Sequence, residues 1–192
     1  MKNLILIGAG GHAKSCIDVI ESQGEYNIVG LIDFKEKVGE SLLGYPIIDC
    51  DENLPKHIIE TNYFLITLGQ IKSAQRRKEI YEYAKSFGAK FATVISPRAY
   101  VSKHAKIGEG TIIMHDALLN AGVELGENCI VNTKALLEHD VKVSNHCHIS
   151  TGAILNGDVK VKDESFVGSN STIVQGVEIP EKSFIKAGSL VK

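Results

Sequence analysis

Cysteine, charge of one sign and long apolar runs are all scarce in this sequence of 192 residues. The four cysteines (Cys16, Cys50, Cys129, Cys147) form no CxxC pair and have no secretory context. They read as reduced, buried residues of a cytoplasmic protein, not as a disulfide framework. No stretch nears the roughly 18 apolar residues of a membrane span, and the opening run Leu4–Ile7 stops at Gly8, too soon for a signal-peptide core. Lys and Arg number 21 against 23 Asp and Glu, interspersed, for a net charge of −2. Without a basic run, neither nucleic acid nor an anionic membrane surface is an expected partner. What the chain does have is apolar material, 44% against 23% charged, enough for one large or two small domains.

From Ile95 to Val191 every sixth residue is Ile, Leu or Val, 17 positions without a failure. With these three types at about a quarter of a chain, that run has a chance probability on the order of one in ten billion. Four residues after each aliphatic position stands a small or β-branched residue, as at Ala99, Thr111, Ala117, Cys129 and Ala153. A period of six fits neither a helix nor an alternating strand. It fits a left-handed parallel β-helix of hexapeptide repeats, each repeat one short face and one corner, about 18 residues to the coil. A sandwich with evenly spaced turns would need period-two alternation and varied loops, and has neither here.

Residues 1–94 read as an α/β, Rossmann-like domain. Strands are expected at Leu4–Ile7, Ile28–Ile32, Tyr63–Leu68 and Phe91–Val94, and helices at Lys14–Gln23 and over the charged, exposed stretch Lys72–Ser86. The turn Gly8-Ala9-Gly10-Gly11-His12-Ala13 follows a strand and opens a helix, and Asp33 comes about 20 residues on. Such a turn offers backbone N–H groups and a helix N-terminus to a phosphate, and the acid can accept from a sugar or base. A Gly-rich turn without a ligand is the plain alternative. Only one such half fits before Ile95, which favours a mononucleotide-linked ligand such as a UDP-sugar over a dinucleotide. The expected contacts are Gly8, Gly10, Gly11, His12, Asp33, Lys35 and Gly69.

Gly-Ala-Gly-Gly-His at the start, the uninterrupted hexads and the stretch Asn132-Thr133-Lys134-Ala135-Leu136-Leu137-Glu138-His139-Asp140 together resemble the PglD/NeuD-like bacterial sugar acetyltransferases. The resemblance covers nearly the whole chain. It implies a homotrimer with acetyl-CoA between neighbouring solenoids (95–192) and the sugar nucleotide on the first domain. It also implies His139 as general base, Asp140 (more often Glu in the family) orienting it, and Asn132 holding the reacting group. His148, Ser169 and Ala187 would then lie beside acetyl-CoA. The family often continues past the position of Lys192 with a Pro-containing turn near the adenine.

The residue types suit that chemistry. An amine attacking a thioester must lose a proton, and neutral imidazole, with its usual pKa near 6.5, can take it. The thioester carries the driving force, so no metal is expected. His146-x-His148 with His139 or His115 lacks the spacing of a shared zinc site, and Cys129 and Cys147 fall in the inward small-residue register. Three functions stay open: N-acetylation of a UDP-4-amino-4,6-dideoxy sugar, O-acetylation of a sialic or related nonulosonic acid, and a non-catalytic sugar-nucleotide-binding trimer.

Overall fold

The computed structural model describes residues 1–59 and 62–192. The first domain runs β1 (Lys2–Ile7), α1 (Gly11–Gln23), β2 (Tyr26–Asp33), β3 (Ser41–Leu42), β4 (Tyr45–Cys50), β5 (Asn62–Ile66), α2 (Gln75–Ser86) and β6 (Lys90–Phe91), with short 3-10 turns at Lys35–Lys37 and Asp51–His57. Its sheet has the order β3-β4-β2-β1-β5-β6, parallel except for the β3–β4 hairpin. The central strands are apolar on both faces and buried, as a sheet covered on both sides requires. Ile17 and Ile20 of α1 pack on one face with Leu4, Leu6 and Leu31. Ile80, Tyr81 and Ala84 of α2 pack on the other with Ile5, Ile7 and Phe64.

Two expectations need correction. Phe91–Val94 is not one strand: β6 ends the first sheet, and Val94–Ile95 (β7) already belongs to the solenoid. The helix expected over Lys72–Ser86 begins only at Gln75, and Arg77, Ile80, Tyr81 and Ala84 make one side of it buried. Its charge density hid that stripe.

From β7 to β23 (Leu190–Val191) seventeen two-residue strands stack into three parallel sheets with an 18-residue register, Ile113 pairing Val131 and Leu119 pairing Leu137. Every sixth residue from Gly110 to Gly188 has positive φ, between 52° and 78°. The left-handed region is where an L-residue turns most sharply, and Gly, Asn and Asp tolerate it best. They fill most of these corners, with Lys134, His146, Glu164 and Lys182 as the others. The aliphatic residue and the small residue just after each corner point inward and form one continuous core.

The three faces differ outside. Face one presents Val94, Ile112, Ile130, His148, Phe166 and Phe184. Its first three residues, with Met114, join the α1 core, so the two domains share apolar packing. Face two presents Tyr100, Leu118, Leu136, Ile154, Thr172 and Leu190, an apolar stripe that this chain leaves partly or wholly open. Face three carries Lys106, Glu124, Lys142, Lys160 and Glu178, and Glu124 pairs with the lysines on the coils before and after it, Lys106 and Lys142.

Helix α2 lies along the edge between faces three and one. Tyr81 Oη donates to Glu127 Oε2 at 2.8 Å, Lys78 Nζ reaches Glu164 Oε1 at 2.9 Å, and Lys85 pairs with Glu109. Near α1, His115 links Ser96 Oγ (2.7 Å, at Nδ1) to Asp18 Oδ2 (2.8 Å, at Nε2).

Candidate active site

His139 and Asp140 form the corner between faces two and three, with Asp140 at φ 62°. His139 Nδ1 lies 3.0 Å from Asp140 Oδ2. An ionised carboxylate only accepts, so Nδ1 carries the proton, and in the neutral ring Nε2 keeps its lone pair. The pair is wedged between glycines of adjacent coils. A Cβ on Gly157, one coil on, would stand 2.5 Å from both Cε1 and Nε2 of His139. A Cβ on Gly122, one coil back, would collide with Asp140 Oδ1. Gly157 has no positive φ that demands glycine, so it is the imidazole's position that requires it. Gly157→Ala should therefore displace the ring and lower kcat/KM about tenfold to a hundredfold, with thermal stability little changed. Steady-state kinetics with a parallel melting curve checks this.

Asn132 sits at the other end of face two. Its Oδ1 accepts from Thr133 N at 2.8 Å, and its Nδ2 lies 3.2 Å from His148 Nε2. His148 Nδ1 is 2.6 Å from the Gln70 carbonyl. A carbonyl only accepts, so His148 is protonated at Nδ1 and its Nε2 accepts from Asn132. The second amide hydrogen of Asn132 stays available for a ligand. His148 is buried and both ring nitrogens are engaged, so it acts on this edge through Asn132. Thr133, Thr151, Ser169 and Ala187 repeat at 18 residues and form a column of small residues on the same edge; Gly152 N donates to Thr133 O and Gly188 N to Ser169 O. Ser169 Oγ pairs with Ser150 Oγ at 2.9 Å. His139 and the Asn132–Ser169–Ala187 edge thus lie at opposite ends of one apolar face, and a single chain does not bring them together.

In the first domain, Gly8 has φ 109°, and a Cβ there would overlap the Leu68 side chain. Gly10 caps α1 and Gly11 begins it, with open space where a Cβ would stand at either. Asp33 ties the turn down: its carboxylate accepts from Ala9 N (2.5 Å), Phe34 N (2.7 Å) and Lys37 Nζ (3.2 Å). Burial pushes its pKa up, but the bonds from Phe34 and Ala9 and the Lys37 charge outweigh this and hold it low. Beside the turn opens a cavity of about 650 Å³. Asp33, Phe34, Lys35 and an Asp51–Arg76 ion pair line it, over a floor that includes Leu54 and Ile80. The glycines lie outside this lining, and Gly69 lies against His12. Among the described residues no cluster of His, Cys, Asp and Glu is arranged as a metal site.

Known families and structures share these features. The PglD N-terminal domain family matches residues 3–84, the bacterial transferase hexapeptide family matches 104–139, and the hexapeptide repeat of succinyl-transferase matches 159–192. The acetyltransferase domain of PglB from Neisseria gonorrhoeae FA1090 is 30% identical over all of this chain and 92% of its own, with a TM-score of 0.93. The chain belongs to the PglD/NeuD-like sugar acetyltransferases. A solved complex of that PglB domain holds acetyl coenzyme A. PerB from Caulobacter crescentus, solved with CoA and GDP-perosamine, is 27% identical over all of this chain and 89% of its own, with a TM-score of 0.91. The UDP-N-acetylbacillosamine N-acetyltransferase of Bacillus subtilis (strain 168) is 34% identical over 118 residues, about half (52%) of that relative's length and 59% of this chain.

Within this sugar acetyltransferase fold, His12 and His148 at the domain junction are held neutral. Burial, then the charges of Arg77 and His148, pushes His12 down to about 3. Burial and Arg77 bring His148 down to about 4, against the opposing bond to the Gln70 carbonyl. Sequence reasoning missed Gln70, Arg77, Gly122, Gly157 and the Asp51–Arg76 pair. A signal existed only for the glycines: Gly122 falls in the corner register, and Gly157 stands 18 residues, one coil, after His139.

Proposed function

We propose that this chain transfers an acetyl group from acetyl-CoA to the amino group of a nucleotide-activated 4-amino sugar, by preference a UDP-4-amino-4,6-dideoxy sugar, as a cytoplasmic homotrimer. One observation carries the reading. A histidine paired to a carboxylate and cradled by glycines stands at one end of an open apolar face, and a donor amide with a small-residue column stands at the other. Two copies meeting on that face would bring the ends together, as the closed symmetry of most homo-oligomers allows. Acetyl-CoA supplies the acyl group already activated as a thioester. The column Thr133–Ala187 leaves room for an extended pantetheine arm, with Ser169 and Ala187 beside it. Asn132 offers its free N–H to the carbonyl oxygen as that oxygen gains charge. His139 Nε2 takes the proton from the attacking amine as the C–N bond forms and the C–S bond breaks, and the proton leaves with the thiol. The sugar nucleotide spans the domains, its phosphates at Gly8, Gly10, Gly11 and His12, its nucleoside in the cavity with Asp33 and Lys35. The N-acetyltransferase activities of the relatives favour an amine over a hydroxyl acceptor.

Acetyl-CoA consumption measured against UDP- and GDP-linked 4-amino sugars, free amino sugars and sialic acid tests the substrate. Turnover confined to sialic acid, or absent throughout, would overturn it. Mixing tests the shared site: His139→Ala and Asn132→Ala trimers, each inactive, should on joint refolding recover about a quarter of wild-type activity, because one interface in four pairs two intact edges. A mixture as inactive as its parents would place the site within one subunit.

A further inference from the structure

Arg77 is buried on α2, and among the described residues no carboxylate bonds it. Its guanidinium donates instead to four oxygens: Nη1 to the carbonyls of Ile66 (2.8 Å) and Leu68 (2.7 Å), Nη2 to the carbonyl (3.3 Å) and side-chain oxygen (2.7 Å) of Asn128. The first two carbonyls shape the loop that leaves β5 and carries Gly69 and Gln70. The other two belong to a solenoid corner. A buried charge without a counter-ion is expensive, and an apolar residue of the same size would commonly serve stability as well or better. An arginine kept here in spite of that cost points to its geometry, a planar fork that fixes several acceptors at once.

The bonds continue from Arg77 in one direction. Asn128 Nδ2 reaches back to the Arg77 carbonyl (3.5 Å) and to His146 Nδ1 (3.0 Å). His146 O accepts from Gln70 Nε2 at 2.9 Å. The Gln70 carbonyl accepts from His148 Nδ1–H, and His148 Nε2 accepts from Asn132. The chain crosses the domain boundary at Arg77–Asn128, Gln70–His146 and Gln70–His148. It ends on the amide whose free N–H faces the acetyl edge. Tyr81, one turn along α2 from Arg77, stacks edge-on against His146 at 5.5 Å and backs the same corner.

We propose that Arg77 is a positioning residue: by clamping the 66–70 loop to the Asn128 corner, it sets the register between the nucleotide domain and the solenoid, and with it the tautomer of His148 and the aim of Asn132. This rests on the reading of a nucleotide-linked acceptor, because such a substrate is held by one domain and acetylated at the other. A register error of an ångström is then a misplacement of the reacting amine.

The test uses the full-length protein with Arg77→Met and Arg77→Lys. Methionine keeps the bulk and removes the charge; lysine keeps the charge but cannot fork to four acceptors. Both variants should lose about tenfold to a hundredfold in kcat/KM for the nucleotide-linked amino sugar, with the KM for acetyl-CoA unchanged. Nitrogen-15 NMR of the imidazoles should find His148 in the wild type as one fixed tautomer with the proton on Nδ1, and in the variants as averaged tautomers. If Arg77→Met does not fold, Arg77→Lys carries both measurements. A folded variant with the wild-type His148 signature overturns the proposal whatever its activity. So does an altered signature with undiminished turnover. A wild type that acetylates no nucleotide-linked amino sugar would sink the acceptor reading instead, and the His148 spectrum would still decide on Arg77.

Discussion

His139→Ala is expected to lower kcat/KM for the amino-sugar acceptor by about 10²–10⁴, the usual range for a lost general base. The KM for acetyl-CoA should change little. In the shared site His139 faces the acceptor amine, whereas the pantetheine arm is held by the neighbouring copy's Asn132–Ser169–Ala187 edge. Asp140→Asn should cost less, because the amide can still hold the ring while losing the charge that favours Nδ1–H and a basic Nε2. The order His139→Ala, then Asp140→Asn, is specific to a base oriented by an acid. If both variants lost activity equally, the pair would be acting as one binding element. If His139→Ala kept most of the activity on a verified acceptor, acetyl transfer here would rest on positioning alone. The alanine also empties the space over Gly157, so its melting temperature should stay close to that of the wild type, and loss of activity cannot then be assigned to unfolding.

The solenoid could be read from the sequence because its neighbours in space are neighbours at a fixed sequence interval. Residue i touches residues i ± 18 with no insertion to break the register, so the run Ile95 to Val191 writes the three-dimensional core directly into the chain. The corner register was equally visible and went unread: Gly110, Asp116, Gly122 and Asn128 repeat the residues that tolerate positive φ. In the first domain, order is set by long-range pairing, and legibility falls. The β3–β4 hairpin was missed because Ser41–Leu42 and Tyr45–Cys50 carry no strong strand pattern; Pro46 lies within it. Helix α2 was legible as a helix and not as a buried one. Arg77 and Lys78 look alike in sequence, yet one enters the domain junction and the other pairs with Glu164 at its rim.

The candidate site divides in the same way. His139, Asp140 and Asn132 lie in a contiguous motif, so the resemblance named them together. The structure then separates Asn132 from His139 by a whole prism face, a distance that a spacing of seven residues conceals. His148 was expected beside the cofactor and is found behind Asn132 instead, with its nitrogens committed to Gln70 and Asn132. Asp33, read from the sequence as an acceptor for a sugar or base, also holds Ala9 and Phe34 in place through its carboxylate. These roles depend on how the domains dock, which no local pattern encodes.

That docking should make the protein acid-sensitive in a narrow window. His12 and His148 have folded-state values of about 3 and about 4 against an unfolded 6.5. Above pH 6.5 both states leave them neutral and their contribution to stability is fully present. As the pH falls below 6.5 the unfolded chain takes up protons that the folded chain refuses, so stability is lost until the folded values are reached. At pH 5 each histidine is about 1.5 units below its unfolded value, which corresponds to about 2 kcal/mol each. His146, also lowered chiefly by burial, shifts stability in the same direction. Mutual repulsion between His12 and His148 makes their effects less than independent. Asp33 and Asp49 are held low and lose their contributions only as the pH falls through values below the ordinary carboxylate range, so they leave this window to the histidines. Urea unfolding at fixed protein concentration and ionic strength should therefore give a free energy about 2–4 kcal/mol lower at pH 5 than at pH 7.5. His148→Gln should remove about half of that difference, while lowering stability at pH 7.5 because Asn132 and the Gln70 carbonyl lose a partner. A wild type whose stability changes by less than about 0.5 kcal/mol between the two pH values would mean that these imidazoles are hydrated. The domain junction would then have to be looser than the Arg77–Gln70–His148 chain requires.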